Sequence, residues 1–197
     1  MNPTLILAST SPYRAALLAR LGLPFNAVAP KVDETPQEGE TPAQLASRLS
    51  LAKAQAVAIQ YSDSLVIGSD QVAELDGSAL GKPGSRARAI EQLRDMSGRK
   101  LVFHSGLALL DARDGSFQVL TIPTTVEFRA LTPEWIEQYV EREPAFDCAG
   151  SAKAEGLGIS LMQRIQSDDP TALIGLPLIA LTHMLAQRGV HVLGAQS

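Results

Sequence analysis

Apolar positions along this chain alternate between short unbroken runs and helical spacing, and that alternation predicts the elements. Leu5-Ile6-Leu7-Ala8 is a short apolar run, which reads as a buried strand. Behind it Ser11 can cap a helix, and Pro12 suits the first helical position. Ala15, Ala16, Leu17, Leu18 and Leu21 give that helix an apolar face, and Gly22 ends it. Phe25 to Ala29 reads as a second short strand, followed by a polar, Pro-bearing loop to Gly39-Glu40. Thr41-Pro42-Ala43-Gln44 has the capping-box pattern. It opens a helix to about Ile59, with Leu45, Leu49, Ala52, Ala56 and Ile59 at helical spacing. Ser64 to Ser69 is expected as a central strand, with Asp70 at its C-terminal end, and Asp76-Gly77 marks a hairpin turn. Ser85 can cap a helix to about Met96. Leu101 to Leu110 and Phe117 to Phe128 read as two long strands joined through Asp114-Gly115. Thr132-Pro133 opens a helix that ends before Pro144. Leu157 to Leu161 is expected as a last strand, Pro177 to Arg188 as the final helix, and the tail after Leu193 is expected to fray.

Strands alternate with helices early, and a long hairpin comes late. That order predicts an α/β fold with a mixed sheet and flanking helices, rather than a purely doubly wound sheet. No repeat, low-complexity tract or long flexible linker divides the chain, so residues 1–197 are expected to form one domain.

Composition narrows the function classes. Apolar residues make up 45% and charged residues 19%, the balance of a soluble protein with a substantial core. The net charge of -4 gives no overall basic field for a long nucleic-acid polymer, although a few local cations can still hold a small anion. The single cysteine, Cys148, cannot form an internal disulfide, which fits a reducing cytoplasm. No stretch approaches the roughly 20 apolar residues of a membrane span. The start of the chain has neither a basic segment nor a long apolar one, which argues against a signal peptide.

The residues that can carry chemistry stand mostly at predicted element ends. Ser9, Thr10, Ser11 and Arg14 surround a helix N-terminus, where free amides and a guanidinium favour phosphate; a plain cap with a surface arginine is the simpler alternative. The glycines and the Gly-Lys-Ser/Thr of a P-loop are missing. Asp70, beside Gly68 and Gln71, stands where open sheets bind ligands, or else serves as a turn residue. Lys53 borders the buried helix face, where it either snorkels or meets a fixed anion. Lys82, between Gly81 and Pro83, sits in a stiff open loop that suits a positioned cation or a solvated one. Asp33 and Glu34 lie in an acid-rich loop and can serve a hard metal ion or water alone. His104, His183 and His191 lack zinc-ligand spacing, and Cys148 reads as a small core residue. Ser167 to Thr171 reads as an acidic turn and helix cap, and Trp135, Ile136 and Tyr139 as an amphipathic helix face.

Taken in order, Leu-Ile-Leu-Ala-Ser-Thr-Ser-Pro-Tyr-Arg, Val-Asp-Glu, Lys-Ala, Gly-Ser-Asp-Gln and Gly-Lys-Pro resemble the Maf family of nucleotide pyrophosphatases. So do Cys148 to Ser151, Glu155-Gly156 and Ile174 to Leu178. The resemblance covers nearly the whole chain. It implies two lobes around a deep cleft, similar to inosine-triphosphate pyrophosphatases, and hydrolysis of a nucleoside triphosphate to monophosphate and pyrophosphate with Mg2+ or Mn2+. It implies Asp70 as catalytic base, Ser9, Arg14, Lys53 and Lys82 as phosphate-binding residues, and Glu34 with Asp70 at the metal. Many members have two arginines after Ser-Pro, whereas here the first is Tyr13. That change, with Gln71 and Glu155, resembles the subgroup acting on 7-methyl-GTP rather than the one preferring dTTP and UTP. An aromatic face attracts a positively charged methylated guanine, and a carboxylate can accept from its N1–H and N2–H2. A broad house-cleaning enzyme for modified nucleotides and a non-enzymatic regulator of septum formation are the competing readings, and a homodimer accords with the family.

Overall fold

Residues 3–194 are described by a computed structural model of the chain; the tail expected to fray lies, but for Gly194, outside them. The elements are β1 (Thr4–Ala8), α1 (Pro12–Ala19), β2 (Phe25–Val28), α2 (Pro42–Ala58), β3 (Ser64–Leu75), β4 (Ser78–Leu80) and α3 (Arg86–Met96). They continue with β5 (Lys100–Asp111), β6 (Phe117–Phe128), α4 (Pro133–Arg142), β7 (Met162–Ser167) and α5 (Leu178–Gln187). The serine and threonine caps expected at Ser11, Thr41, Ser85 and Thr132 each accept from an amide of the first turn, and Thr41 and Gln44 close a capping box. Pro177 offers α5 no side-chain cap. The buried carboxylate of Asp169 serves instead, accepting from the amides of Ile179 at 2.7 Å and Ala180 at 3.2 Å.

The strands form the expected mixed sheet in the order β2-β1-β3-β5-β6-β7. β2, β1 and β3 are parallel, and β3, β5, β6 and β7 are antiparallel neighbours. Strand alternation sorts the core. Leu5 and Leu7 of β1 face Leu17, Leu18 and Leu181 on one side, while Ile6 and Ala8 face Ala54 and Val57 of α2 on the other. Along one face of β3 the order is Leu65 and Ile67, then Ser69 and Gln71, then Ala73 and Leu75. On the paired strand β5 it is Leu109 and Leu107, then Ser105, then Phe103 and Leu101. A polar belt of Ser69, Gln71 and Ser105 thus interrupts the apolar stripe. One apolar cluster lies on each side of it: α1 and α5 cover the first, α3 and α4 the second. These are the two lobes, and the same long strands pass through both.

Two expectations are corrected. β3 does not end before Asp70. It runs to Leu75, because β5 supplies partners as far as Glu74, so Asp70 lies in mid-strand. Asp76 and Gly77, both with positive φ (51° and 80°), then turn the chain into β4, as a two-residue hairpin demands. Leu157–Leu161 is a short 3-10 segment, not a strand. There Gly158 packs so closely on the Lys153 peptide that an added Cβ would lie 2.5 Å from the Lys153 carbonyl oxygen, which bends the run away from an extended path. The last strand is Met162–Ser167, which pairs with β6 alone and whose residues Gln163 to Gln166 are exposed. That edge position hides the apolar rhythm a strand prediction relies on. No helix among the described residues is long and apolar enough to cross a membrane.

Candidate active site

A gap in the sheet edge gathers the candidate residues. β1 pairs with β3 only as far as Ala8 opposite Gly68, and β4 pairs with the same edge only from Ala73. Between them, residues 69–72 of β3 have no strand on that side. The chain leaving β1 brings Ser9 to Arg14 to this gap, the chain leaving β4 brings Lys82, and the loop after β2 brings Glu34. All of these border one cleft of about 630 Å³, together with Lys53, Asp70 and Gln71.

α2 reaches the gap because two glycines let it lie on the sheet. A Cβ on Gly68 would stand 2.0 Å from the Ser50 carbonyl oxygen, and one on Gly106 would stand 2.3 Å from that of Ala46. Ser50 then takes the Asp70 amide, which lacks a strand partner, on its hydroxyl at 2.9 Å. One turn on, the buried Lys53 ammonium donates to Asp70 Oδ1 at 2.5 Å and pairs with Glu34 Oε1 at 2.7 Å. Asp70 Oδ2 has no partner among the described residues. No buried side-chain oxygen there is left unpaired, so Oδ2 is reached by solvent from the cleft. The Glu34 loop is tied to α2 by Arg48, which donates to both Glu40 carboxylate oxygens, at 2.6 and 2.8 Å, and to Thr35 O at 3.1 Å.

Charge is balanced locally. Burial pulls the Glu34 carboxyl up, but Lys53, Lys82 and Arg14 together outweigh it and hold the group below the ordinary carboxylate range. Burial lowers the Arg14 guanidinium, opposed by Asp70 and Glu34; its Nε donates to Gly175 O at 3.0 Å. Glu34 and Asp70 are the carboxylates at this end. Among the described residues no group of three or more His, Cys, Asp or Glu stands close enough to cage a metal. Two carboxylates beside a cluster of three cationic side chains fit magnesium, which keeps waters and takes substrate oxygens rather than a full protein cage.

The specificity candidates divide. Tyr13 and Glu155 both line the cleft. Gln71 also borders it, yet its amide Nε2 is shared among Ser105 Oγ, Ala172 O and Leu173 O at 2.9–3.0 Å, pinning the segment before α5. Ser69 Oγ pins the same segment, 2.8 Å from Gly175 O. Cys148 is not a core residue as expected. It borders the cleft half-buried, and burial first, then Asp147, pushes its thiol up to about 12, which leaves it a poor nucleophile. Arg48, Ser50, Asp147 and Lys153 escaped the sequence reading; their partners are remote backbone groups or residues brought close only by folding.

A mixed-sheet α/β protein with a cationic, carboxylate-bearing cleft at a broken sheet edge is the class this arrangement defines. The chain belongs to the Maf family: the family described as Maf-like protein matches residues 4–188. A 7-methyl-GTP pyrophosphatase of Thiobacillus denitrificans is 60% identical over 192 residues, 98% of this chain and 96% of that one. Proteins of the same name from Xanthomonas oryzae pv. oryzae (57% identical, covering 98% of this chain and 100% of that one) and Cupriavidus metallidurans (54%, covering 98% of each) are similar over as much of their length.

Proposed function

We propose that this chain hydrolyses 7-methyl-GTP to 7-methyl-GMP and pyrophosphate. The relatives at 54–60% identity that carry that activity in their names support the reading. One observation carries it: the Lys53 ammonium gathers the Glu34 and Asp70 carboxylates at one end of a cleft that has the aromatic ring of Tyr13 on its wall.

In this reading Ser9, Arg14, Lys53 and Lys82 bind the triphosphate. Glu34 and Asp70 would hold a magnesium or manganese ion, which when bound neutralises charge on the phosphate oxygens. Asp70, with Oδ1 fixed by Lys53 and Oδ2 open to solvent, orients a water molecule and takes its proton. That water attacks the α-phosphorus, and the lysines stabilise the negative charge of the departing pyrophosphate. Tyr13 stacks on the positively charged methylated ring, and Glu155 accepts from the guanine edge. The unpaired thiol of Cys148 accords with work in the cytoplasm.

The test is a panel of 7-methyl-GTP, GTP, dTTP, UTP, CTP and ITP with magnesium or manganese, scoring pyrophosphate apart from orthophosphate. Pyrophosphate from 7-methyl-GTP with little from dTTP or UTP is expected; the reverse order discards the substrate, and binding without any release discards the enzyme. Asp70→Asn should keep the fold and lose about 100-fold or more in kcat, roughly 2.7 kcal/mol of barrier.

A further inference from the structure

Four cationic side chains border the cleft: Arg14, Lys53, Lys82 and Lys153. The first three act together on Glu34. Lys153 does not belong to that group. Its ammonium stands 5.5 Å from the centroid of the Tyr13 ring and 3.6 Å from Asp147 Oδ1. Its backbone is fixed from two sides, with its amide donating to the Tyr139 hydroxyl at 3.1 Å and Gly158 packed against its peptide. Only 18% of the side chain is exposed. The Tyr13 hydroxyl, against the cost of burial, holds the ammonium up at about 12, so it is a permanent donor.

Stacked aromatic rings sit with centroids roughly 4.5–7 Å apart. The Lys153 ammonium stands over the Tyr13 ring at a distance within that range, so a base that shares this face of Tyr13 is offset beside the ammonium. Guanine offers O6 as an acceptor beside the donors N1–H and N2–H2. Methylation at N7 removes the neighbouring acceptor and leaves O6. A bare ammonium would repel the charged ring, but Asp147 offsets that charge while leaving N–H groups to donate.

We propose that Lys153 is a specificity-determining residue that donates a hydrogen bond to guanine O6, while Glu155, two residues on, accepts from N1–H and N2–H2. The proposal rests on the reading that a guanine nucleotide binds with its base at Tyr13.

The test compares wild type with Lys153→Met, Lys153→Gln and Lys153→Arg. The substrates are 7-methyl-GTP, GTP and 2-aminopurine riboside triphosphate, which lacks O6 and with it the N1 proton but keeps the 2-amino group. Inhibition by inorganic tripolyphosphate is measured alongside, and melting confirms which variants fold. Either neutral variant should lower kcat/KM for 7-methyl-GTP and GTP roughly 10- to 100-fold, mostly through KM, the size of a lost hydrogen bond to a charged group. The 2-aminopurine nucleotide and tripolyphosphate should be unaffected, and Lys153→Arg should keep most of the activity. A loss shared by tripolyphosphate makes Lys153 a phosphate ligand and overturns the proposal. So does a loss shared by the 2-aminopurine nucleotide, or no loss at all. A wild type that prefers dTTP or UTP to any guanine nucleotide instead fails the functional reading, and shows it before any variant is made.

Discussion

At the scale of single residues, Lys53 is the side chain on which the most depends, because one ammonium holds two carboxylates at once. In Lys53→Met those carboxylates would face one another without that ammonium between them. Glu34 would then lose the ammonium that does most to hold it low. A carboxyl held low stays ionised to more acidic pH, so raising it brings protonation in earlier on acidification. The acid limb of the kcat/KM profile should therefore move to higher pH in Lys53→Met, with a large loss of turnover at every pH. An unmoved acid limb would show that the Glu34 carboxylate does not depend on Lys53. Taken alone in the sequence, Lys53 reads as a snorkelling lysine and Glu34 as loop charge. Their partnership depends on three segments meeting, which no local rhythm records.

Elements place these residues through backbone contact. α2 lies on β3 and β5 where Gly68 and Gly106 remove the side chains that would hold it off. Gly68→Ala puts a methyl 2.0 Å from the Ser50 carbonyl oxygen, a backbone atom that cannot rotate aside. Overpacking of this kind costs about 1–3 kcal/mol, and a shift of roughly 1 Å at a reacting group can cost on the order of 100-fold in rate. Gly68→Ala should therefore lower both the melting temperature and kcat; a variant that melts lower at full activity would detach helix placement from catalysis. The Glu34 loop depends on Arg48, whose hydrogen bonds to Glu40 hold that carboxyl at about 2, below its ordinary 4.5. The stabilisation is complete above the ordinary value and fades as pH falls from there towards 2. Glu40→Gln should thus be less stable than wild type at pH 7 in denaturant unfolding, with the difference shrinking at pH 3. The caps at Ser11, Thr41, Ser85 and Thr132 were legible because capping is local. The extension of β3 past Asp70 was not, because its cause is β5, some thirty residues further along.

For the whole molecule, the mixed sheet followed from the order of elements, whereas the two lobes did not follow from any segment read alone. They come from Ser69, Gln71 and Ser105, ordinary polar residues until two strands pair and place them in one belt. Because β3 and β5 each contribute to both apolar clusters, neither lobe can melt and leave the other's strands intact. We expect one unfolding transition. Trp135 in α4 reports the second lobe by fluorescence, and far-UV circular dichroism reports the whole chain, so the two curves should coincide. Separate midpoints would mean two domains.

The uninterrupted strands have a last consequence. β3 and β5 are twelve residues each, roughly 40 Å of continuous pleated backbone beneath the cleft. Asp70 is built into one of these strands, and Tyr13 follows the end of a neighbour paired to it. The spacing from the Tyr13 ring to the Asp70 carboxylate is therefore a fixed length, and in the proposed reading the cleft would work as a caliper. A nucleotide bound in that way would be cut at whichever phosphorus that length reaches, so the site of cleavage would be set by the sheet rather than by the chemistry of the bond.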